Sequence, residues 1–256
     1  MRTSLSVLAT GALLSSAAFA QPISAVARDV RKTVSFRTPN AWCVRKLAAC
    51  VTWQQISRDP RYPRHWWAPV AKEGAPAWEI MPQEAGPGEV ILSKRHELGL
   101  LSNFAATPFT FRGRRYASLE GFWQMMKYPE GPDDPRAKFP GLEWKHTRDQ
   151  VSQMTSFEAK SAGTLGEQNM KKMGITWGSF AGKRFAYRPS TPGEHYRLIV
   201  AATREKVRQN PDVKKVLLAT GDLILKPDHH QESNPPAAWR YYEILMQIRG
   251  ELKSHK

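Results

Sequence analysis

The sequence predicts a compact, mainly helical α+β domain with one small β-hairpin and a few short strands. Three observations support this fold class. Apolar residues recur at helical spacing in most segments after Ser118, short aromatic or β-branched runs precede them, and Gly and Pro separate these segments. With 256 residues, 41% of them hydrophobic, the chain can bury one main core.

The first predicted elements are strands. Residues 89–93, EVILS, follow the Pro- and Gly-rich stretch 82–88 and are typical of a short strand. Residues 109–111 and 115–116 flank Arg112-Gly113-Arg114. This pattern predicts a hairpin that turns at Gly113.

A helix is predicted directly after the hairpin. Ser118 can cap its start, and Pro129 lies beyond its end. Its apolar residues have the spacing of a core-facing helix and are Leu119, Phe122, Trp123 and Met126.

Four more helices are predicted further along the chain. Thr155 with Glu158 and Thr191 with Glu194 have the spacing of capping boxes, which predicts a helix start at each place. Residues 212–219 predict a short helix that stops at Gly221. Asn234-Pro235 predicts the start of the last helix.

The N-terminus has the pattern of a cleaved secretory signal. Basic Arg2, an apolar stretch at 5–14 and the small residues Ala18 and Ala20 occur in the order that signal peptides show. The apolar stretch is shorter than the roughly 20 residues that a membrane-spanning helix needs, and no second candidate follows. We therefore expect cleavage after Ala20 and export to a periplasm or to the outside.

Residues 21–76 are predicted to form an N-terminal appendage, and 77–256 the main domain. The appendage is rich in Trp and Pro, which is typical of a segment that packs onto something larger. Its two cysteines, Cys43 and Cys50, would lie about 10 Å apart on one helix, beyond the roughly 7 Å limit for bridged Cα atoms. They either form a disulfide across a bend or remain two buried thiols.

The charge favours anionic partners. Removing residues 1–20 takes only Arg2 from the 38 basic residues, so 37 basic and 23 acidic residues remain and the formal net charge is +14. Such a surface attracts nucleic acid or anionic envelope polymers. The basic residues are spread along the chain, and no zinc-finger or helix-turn-helix spacing is present.

Three places carry residues that could perform chemistry. Glu120 shares a helical face with Gln124 and Lys127. It is either a general acid whose pKa is raised toward neutral by burial or a first-turn acid that complements the helix dipole. Lys160 lies among small residues, where it is either a desolvated nucleophile or an ordinary solvated lysine. Asp222 and Asp228 precede a His229-His230 pair, and the spacing of these residues does not predict a metal site.

Five motifs occur in an order that resembles the NADAR family, also called YbiA-like proteins. They are LSNFAATPF, YASLEGFWQMMKY, EAKSAG, LLATGD and ILMQIRGEL, and the resemblance covers about residues 77 to 253. It implies a compact helical domain that binds ADP-ribose-like or ribosyl-phosphate ligands and hydrolyses N-glycosidic bonds. Family activities include cleavage of riboflavin-pathway ribosylamino intermediates and removal of ADP-ribose from guanine bases.

The resemblance also implies roles for particular residues. Asn103 and Phe104 fall on the family's Ser-Asn-Phe motif, Glu120 on its helix glutamate and Lys160 on its Ala-Lys lysine. The chain departs from the family pattern at Gly121, where a His is usual. It also lacks the late Trp-Gly motif as such, and offers Asp228 and Trp239 in that region.

The resulting hypothesis is attack on the anomeric carbon of a ribosyl group as its base departs. Glu120 and Lys160 are the expected catalytic pair, with the Lys160 amine forming a transient imine, and Asp228 is a further carboxylate. Substrate contacts are expected from Asn103, Phe104, Trp123 and Asp222. The scheme requires no metal or organic cofactor. The alternative is a noncatalytic exported domain that binds nucleotides or envelope polymers.

Overall fold

Six α-helices and three two-stranded sheets form the regular structure of residues 59–254, the part of the chain that the computed structural model describes. The predicted signal, most of the predicted appendage, and Cys43 and Cys50 lie outside the described residues. None of the helices within 59–254 is both long and apolar enough to span a membrane.

Two of the sheets are hairpins and the third joins distant parts of the chain. Strand β1 (Glu89–Ile91) pairs in parallel with β6 (Ile224–Lys226), and β2 (Phe109–Phe111) pairs with β3 (Arg114–Tyr116). Strands β4 (Trp177–Phe180) and β5 (Lys183–Ala186) form the second hairpin. The sequence analysis predicted β1 and the first hairpin but missed β4, β5 and β6.

The turn of the first hairpin lies where the sequence predicts it. Arg112 has φ of 49° and Gly113 has φ of 76°. Positive φ at both central residues is the type I′ arrangement that matches the twist of the two strands. The prediction of a turn at Gly113 is therefore confirmed.

All six α-helices of the described residues lie after Ser118. In chain order they are α1 (Leu119–Met125), α2 (Arg148–Ser152), α3 (Ser156–Lys172), α4 (Glu194–Gln209), α5 (Pro211–Ala219) and α6 (Tyr241–Ser254). Short 3-10 turns occur at Arg64–Trp67, Pro82–Glu84, Glu97–Leu101 and Ala237–Trp239. The predicted class, a helix-dominated α+β domain, is confirmed.

Some predicted helix starts are right and others are wrong. Ser118 caps α1 through its hydroxyl, which accepts from the Gly121 backbone N–H at 2.9 Å. Thr155 precedes α3 but makes no side-chain cap bond, and α4 begins after Gly193 rather than after Thr191. Neither predicted capping box forms: Thr155 is followed by Ser156, which has a φ of 51°, and α4 starts two residues later than the Thr191 cap requires. A capping box that the sequence analysis missed forms at Thr147, ahead of α2.

The last helix also begins later than predicted. Helix α6 starts at Tyr241, and the predicted start at Asn234-Pro235 is instead an irregular segment that leads into the 3-10 turn Ala237–Trp239. The sequence Pro235-Pro236 has no backbone N–H to donate, which suits an extended segment as well as a helix start. Helix α6 therefore begins only after this 3-10 turn.

The core is built around Phe122 on α1. Its ring is fully buried and makes edge contacts with Tyr116 at 4.8 Å and with Phe111 and Phe180 at 5.5 Å between ring centroids. Both hairpins thus pack on the same helix. Such aromatic pairs stabilise beyond their buried area, each by about 0.5–1.5 kcal/mol.

The end of the predicted appendage packs into this core. Trp66 and Trp67 are buried together with Tyr62. The indole N–H of Trp67 donates to the Glu89 carbonyl at 2.9 Å, and that of Trp66 donates to Glu97 at 2.7 Å. The boundary near Ala77 stays a prediction.

Two glycines let α1 approach its neighbours closely. A Cβ added to Gly121 would lie 2.6 Å from the Met154 carbonyl oxygen and 2.9 Å from that of Val151. A Cβ added to Gly163 on α3 would lie 2.0 Å from the Gln124 Oε1 atom. Helix α1 is therefore enclosed on both sides. The family's usual His cannot fit at position 121 in this arrangement.

Two buried arginines hold the C-terminal end of α1. Arg148 donates to the carbonyls of Met125 and Tyr128 at 3.0 and 2.8 Å, and Arg136 donates to that of Met126 at 3.0 Å. Burial lowers the pKa of Arg148 to about 10. The carbonyls at a helix end lack partners within the helix, and a cation there is favourable.

Lys206 is a fully buried lysine on α4. Its ammonium donates to the Ser102 carbonyl at 2.6 Å, and it has no carboxylate partner within residues 59–254. Burial lowers its pKa to about 7. The bond ties α4 to the loop that carries Asn103 and Phe104.

We predict that Gly121→Ala destabilises the fold by about 1–3 kcal/mol, because its Cβ would press on backbone carbonyls that cannot move freely. Gly250→Ala is the matched control: this exposed α6 glycine has open space at its Cβ, so alanine should stabilise by about 0.5–1 kcal/mol. Urea unfolding measures both. Equal effects of the two substitutions would contradict the close approach at Gly121.

We predict that Lys206→Met changes how stability depends on pH. The unfolded lysine keeps its proton up to about 10.4 and the folded one only up to about 7, so the wild type gains stability as pH rises through this window. The variant should lack this rise, while the exposed control Lys215→Met should keep it. Unfolding free energies at pH 6.5 and 9.5 test this. Parallel pH dependence of wild type and Lys206→Met would contradict it.

Candidate active site

A cavity of about 340 Å³ lies beside the α1 and α3 helices. It is closed on the other side by the segment that follows β6. Six of the seven residues named from the sequence line this cavity: Asn103, Phe104, Glu120, Trp123, Lys160 and Asp228.

Asp222 is the residue that does not line it. Its side chain is exposed and forms an ion pair with Lys253 on α6 at 2.8 Å. Its backbone N–H donates to the Tyr62 hydroxyl at 3.2 Å. Asp222 thus lies on the α6 side, apart from the other six residues, and its expected substrate contact stays a prediction.

Glu120 is a buried acid in the first turn of α1. Its side chain is buried and accepts from Gln124 Nε2 at 2.7 Å, and its backbone N–H donates to the Asn103 carbonyl at 2.9 Å. Burial raises the pKa of Glu120, and the Gln124 bond and the nearby ammonium groups of Lys160 and Lys127 oppose this only in part. Glu120 is thus a buried acid that lines the cavity, and not an exposed acid at a helix end.

Asp228 is a second buried acid, and its environment shifts its pKa in the direction opposite to that of Glu120. It forms an ion pair with Lys94, which is partly exposed, and accepts from His229 Nδ1 at 3.1 Å. Burial alone would raise the pKa of Asp228, but the His229 hydrogen bond and the Lys94 ammonium lower it below its usual value. The two acids of the cavity therefore favour different protonation states.

The parallel pair β1–β6 brings Lys94 and Asp228 together. Both residues follow the carboxyl ends of their strands, which meet at the same edge of a parallel pair. The two residues are 134 positions apart in the sequence. No local pattern could have predicted this ion pair.

Lys127 and Lys160 place two amines at the cavity, in different environments. Lys127 is buried, donates to the Gly163 carbonyl at 3.0 Å and pairs with Glu167 at 3.1 Å, and burial lowers its pKa. Lys160 is exposed, and within the described residues its amine has no hydrogen-bond or ion-pair partner. The desolvation expected for Lys160 is therefore not found, because the small residues around it leave it open to solvent.

Aromatic side chains form both the inner wall and the rim. Inside, the Trp123 indole N–H donates to the Tyr187 hydroxyl at 2.6 Å, and both residues are buried. At the rim, Phe157 makes an edge contact with Phe104 at 5.2 Å, and Trp78 lies 6.2 Å from Phe157. The inner wall is fixed, whereas the rim presents exposed rings.

Sequence reasoning missed several residues of this cavity. Gln124 and Lys127 share the helical face of Glu120, and this spacing indicates that they line the same cavity. Glu167 lies one helical turn beyond Gly163 and was not singled out. Trp78 and Lys94 precede the motifs in the chain and reach the cavity only through the tertiary fold.

Three buried polar atoms of the cavity lining have no hydrogen-bond partner within residues 59–254. They are Gln124 Oε1, Gln231 Oε1 and Trp239 Nε1. Such atoms are rare in folded proteins because leaving them unpaired costs free energy.

The described residues contain no group of three or more His, Cys, Asp or Glu side chains placed to hold a metal ion. His229 and His230 both line the cavity, and His229 is engaged with Asp228.

Comparison with known proteins gave one structural likeness. No protein-family model matches the sequence, and no curated protein is similar to it. The NMR structure of the E. coli protein YbiA is similar with a TM-score of 0.41 and 20% identity, over 73% of this chain and 95% of that chain. At this level the likeness assigns no residue role and no activity to this chain.

We predict that Glu120→Gln stabilises the fold more at high pH than at low pH. Because the folded pKa of Glu120 is raised, its contribution to stability is fully present below about 4.5 and is lost as pH rises through the folded value. Glutamine stays neutral and avoids this loss. Melting temperatures at pH 5 and pH 8 measure the difference, with the exposed Glu158→Gln as control. A constant difference between wild type and Glu120→Gln would contradict the burial effect.

Proposed function

We propose that the cavity binds a ribosyl-phosphate ligand of the ADP-ribose type and hydrolyses the N-glycosidic bond between its ribose and a nitrogenous base. One observation carries the proposal. Two buried carboxyl groups face one cavity, and their surroundings move their pKa values in opposite directions. A pair of this kind provides an acid and an ionised carboxylate at the same pH, which glycoside hydrolysis needs.

Glu120 is the proposed general acid. A base leaves ribose more readily when it is protonated, so the neutral Glu120 carboxyl donates its proton to the base nitrogen as the C1–N bond breaks. The resulting carboxylate then takes a proton from the water that adds to C1. This returns Glu120 to its starting state and completes the hydrolysis.

Asp228 is the proposed electrostatic partner. Positive charge develops on C1 and the ring oxygen as the base departs, and an ionised carboxylate in a water-poor cavity stabilises it. Lys94 and His229 keep Asp228 ionised without occupying all of its acceptor positions. The two acids thus have different roles while the base departs.

The amines and the inner aromatic wall are suited to the rest of the ligand. Lys160 has no anionic partner within the described residues and is free to bind a phosphate, as a positive point charge does. Trp123 offers a fixed ring edge to the base, and Asn103 lies next to Glu120 where a ribose hydroxyl would bind. The assignments of Trp123 and Asn103 follow the roles that the sequence analysis expects, whereas Lys160 was expected to be a nucleophile.

The imine route through Lys160 is the competing mechanism. In that route the neutral amine attacks C1, the protonated base leaves, the ring C1–O bond opens to an imine, and water releases the sugar. It requires an unprotonated amine, which burial favours. Because Lys160 is exposed, we favour the route in which Glu120 acts through water.

We predict that the wild-type protein releases the base from at least one of three substrates: NAD, and guanine-linked ADP-ribose either free or on DNA. Glu120→Gln should lower turnover by about 100- to 10,000-fold, the usual range for a general acid. Asp228→Asn should also lower it, and Glu158→Gln should not. Chromatography with mass detection measures the released base.

Further measurements distinguish the Glu120 route from the imine route, and an enzyme from a noncatalytic binding domain. Lys160→Arg should keep most of the turnover, and borohydride added during the reaction should leave no adduct on the Lys160 peptide. An adduct together with an inactive arginine variant would establish the imine route instead. Saturable binding of ADP-ribose without release of any base would leave the noncatalytic nucleotide-binding domain as the function.

A further inference from the structure

Tyr187 carries a hydroxyl proton that no group of residues 59–254 accepts. The residue follows strand β5, is 3% exposed and lines the cavity. Its hydroxyl oxygen accepts the indole N–H of Trp123 at 2.6 Å, and an indole N–H can only donate. This bond uses a lone pair of the oxygen and leaves the O–H without an acceptor in the described part of the chain. A buried donor of this kind costs free energy unless something in the cavity accepts it.

The hydroxyl keeps its proton and is held in one position. Burial raises the pKa of Tyr187 well above its ordinary value, so the group stays a donor near neutral pH. The ring stacks on His195 at 4.9 Å between ring centroids, and His195 Nδ1 bonds to the Tyr187 carbonyl at 2.8 Å. The Tyr187 backbone N–H donates to the Thr176 carbonyl at 3.0 Å. Separate contacts thus fix the ring, the backbone and the oxygen, which is the support that a ligand-binding donor needs.

The neighbours of the hydroxyl decide which part of a ligand it meets. Its partner Trp123 lies three residues after Glu120 on α1, and the proposed function places the base against Trp123. The charge of Glu120 acts on Tyr187 and raises its pKa further. The Tyr187 O–H therefore lies where Glu120 meets the departing base.

Two donors at one base make its acceptors decisive. The neutral Glu120 carboxyl donates to a base nitrogen in the proposed reaction, so the Tyr187 O–H requires a second acceptor on the same base. An exocyclic carbonyl oxygen projects beyond the edge of the base and accepts near the plane of the ring. It can reach a hydroxyl that is fixed in the wall while the ring stays beside Glu120.

We propose that Tyr187 donates a hydrogen bond to a carbonyl oxygen of the departing base, and that the site thereby selects ligands whose base carries such an oxygen. This inference rests on the proposed function for the position of the base. A site built to bond a polar group of its ligand discriminates against the analogue that lacks the group, because the buried partner is then left unpaired.

The test compares a ligand that has a base with one that has none. Calorimetry measures binding of NAD, whose nicotinamide has a carbonyl oxygen, and of ADP-ribose to the full-length Glu120→Gln protein, so that no ligand is consumed. Adding Tyr187→Phe should weaken NAD binding by about 2- to 12-fold, the effect of one lost hydrogen bond, and leave ADP-ribose binding unchanged. If NAD does not bind, guanine-linked ADP-ribose takes its place, since guanine also carries a carbonyl oxygen.

The matched control is Tyr128→Phe in the same Glu120→Gln protein. Tyr128 is a buried tyrosine whose hydroxyl donates to the Ala162 carbonyl at 2.6 Å, and it does not line the cavity. Its loss also removes one buried hydrogen bond, so it should lower stability without changing either affinity.

A second comparison changes the ligand and leaves Tyr187 in place, because Tyr187→Phe also leaves the buried Trp123 N–H unpaired and costs stability. The 3-acetylpyridine and 3-ethylpyridine analogues of NAD differ by the carbonyl oxygen. The protein with Tyr187 should bind the acetyl analogue more tightly, again by about 2- to 12-fold. Tyr187→Phe should bind the two analogues equally.

Three results would overturn the inference. Equal weakening of NAD and ADP-ribose binding by Tyr187→Phe would place the hydroxyl on the ribose or a phosphate. Unchanged affinity for both ligands, or no preference between the two analogues when Tyr187 is present, would mean that the hydroxyl meets only water. Failure of every one of these ligands to bind would overturn the inference and the proposed function together.

Base release by the wild-type protein separates the inference from the proposed function. If Tyr187→Phe weakens only the ligand that carries a base, but the wild type releases no base from any substrate, Tyr187 is a base-binding residue and the proposed activity is wrong. If base is released and Tyr187→Phe keeps both the wild-type KM and the wild-type affinities, the activity stands and the inference is wrong.

Discussion

The close approach of α1 to its neighbours is the constraint on which the site depends. Carbonyl oxygens from residues 151–154 lie where a side chain at Gly121 would be, and Gln124 fills the space that Gly163 leaves open. Because α1 is enclosed on both sides, its polar face cannot reach bulk solvent and instead lines a cavity. Glu120 and Lys127 are buried for this reason, and their pKa values shift because they are buried.

A fold selected for stability alone would not hold so many charges away from water. Burial of Glu120, Lys127 and Lys206 costs desolvation free energy. Of these three residues, only Lys127 has an ion-pair partner in the described part of the chain. Local rules of this kind are broken mainly at functional sites, where activity offsets the lost stability. Lys206 acts at a distance, because its bond to Ser102 positions the loop that carries Asn103 and Phe104.

The small parallel sheet has more influence on the site than its size suggests. Strands β1 and β6 are three residues each, yet their pairing places Lys94 beside Asp228 and the Trp78 segment beside His230. Against the effect of burial, the His229 hydrogen bond and the Lys94 ion pair together lower the pKa of Asp228, and the Trp78 ring completes the rim. Thus one short strand pair supplies both the ionised acid of the proposed reaction and one wall of the entrance.

The sequence by itself determined the local features. The Ser118 cap, the apolar stripe of α1 and the turn at Gly113 depend on contacts within about four residues, which a sequence pattern records directly. Glu120 and Lys160 were found in the same way, on short motifs. Only the tertiary structure decided the rest. The pairing of Lys94 with Asp228, the displacement of Asp222 toward α6 and the assembly of the aromatic rim join residues that are distant in the chain. Such contacts depend on how whole elements pack, and the free energy of that packing is not carried by any one segment.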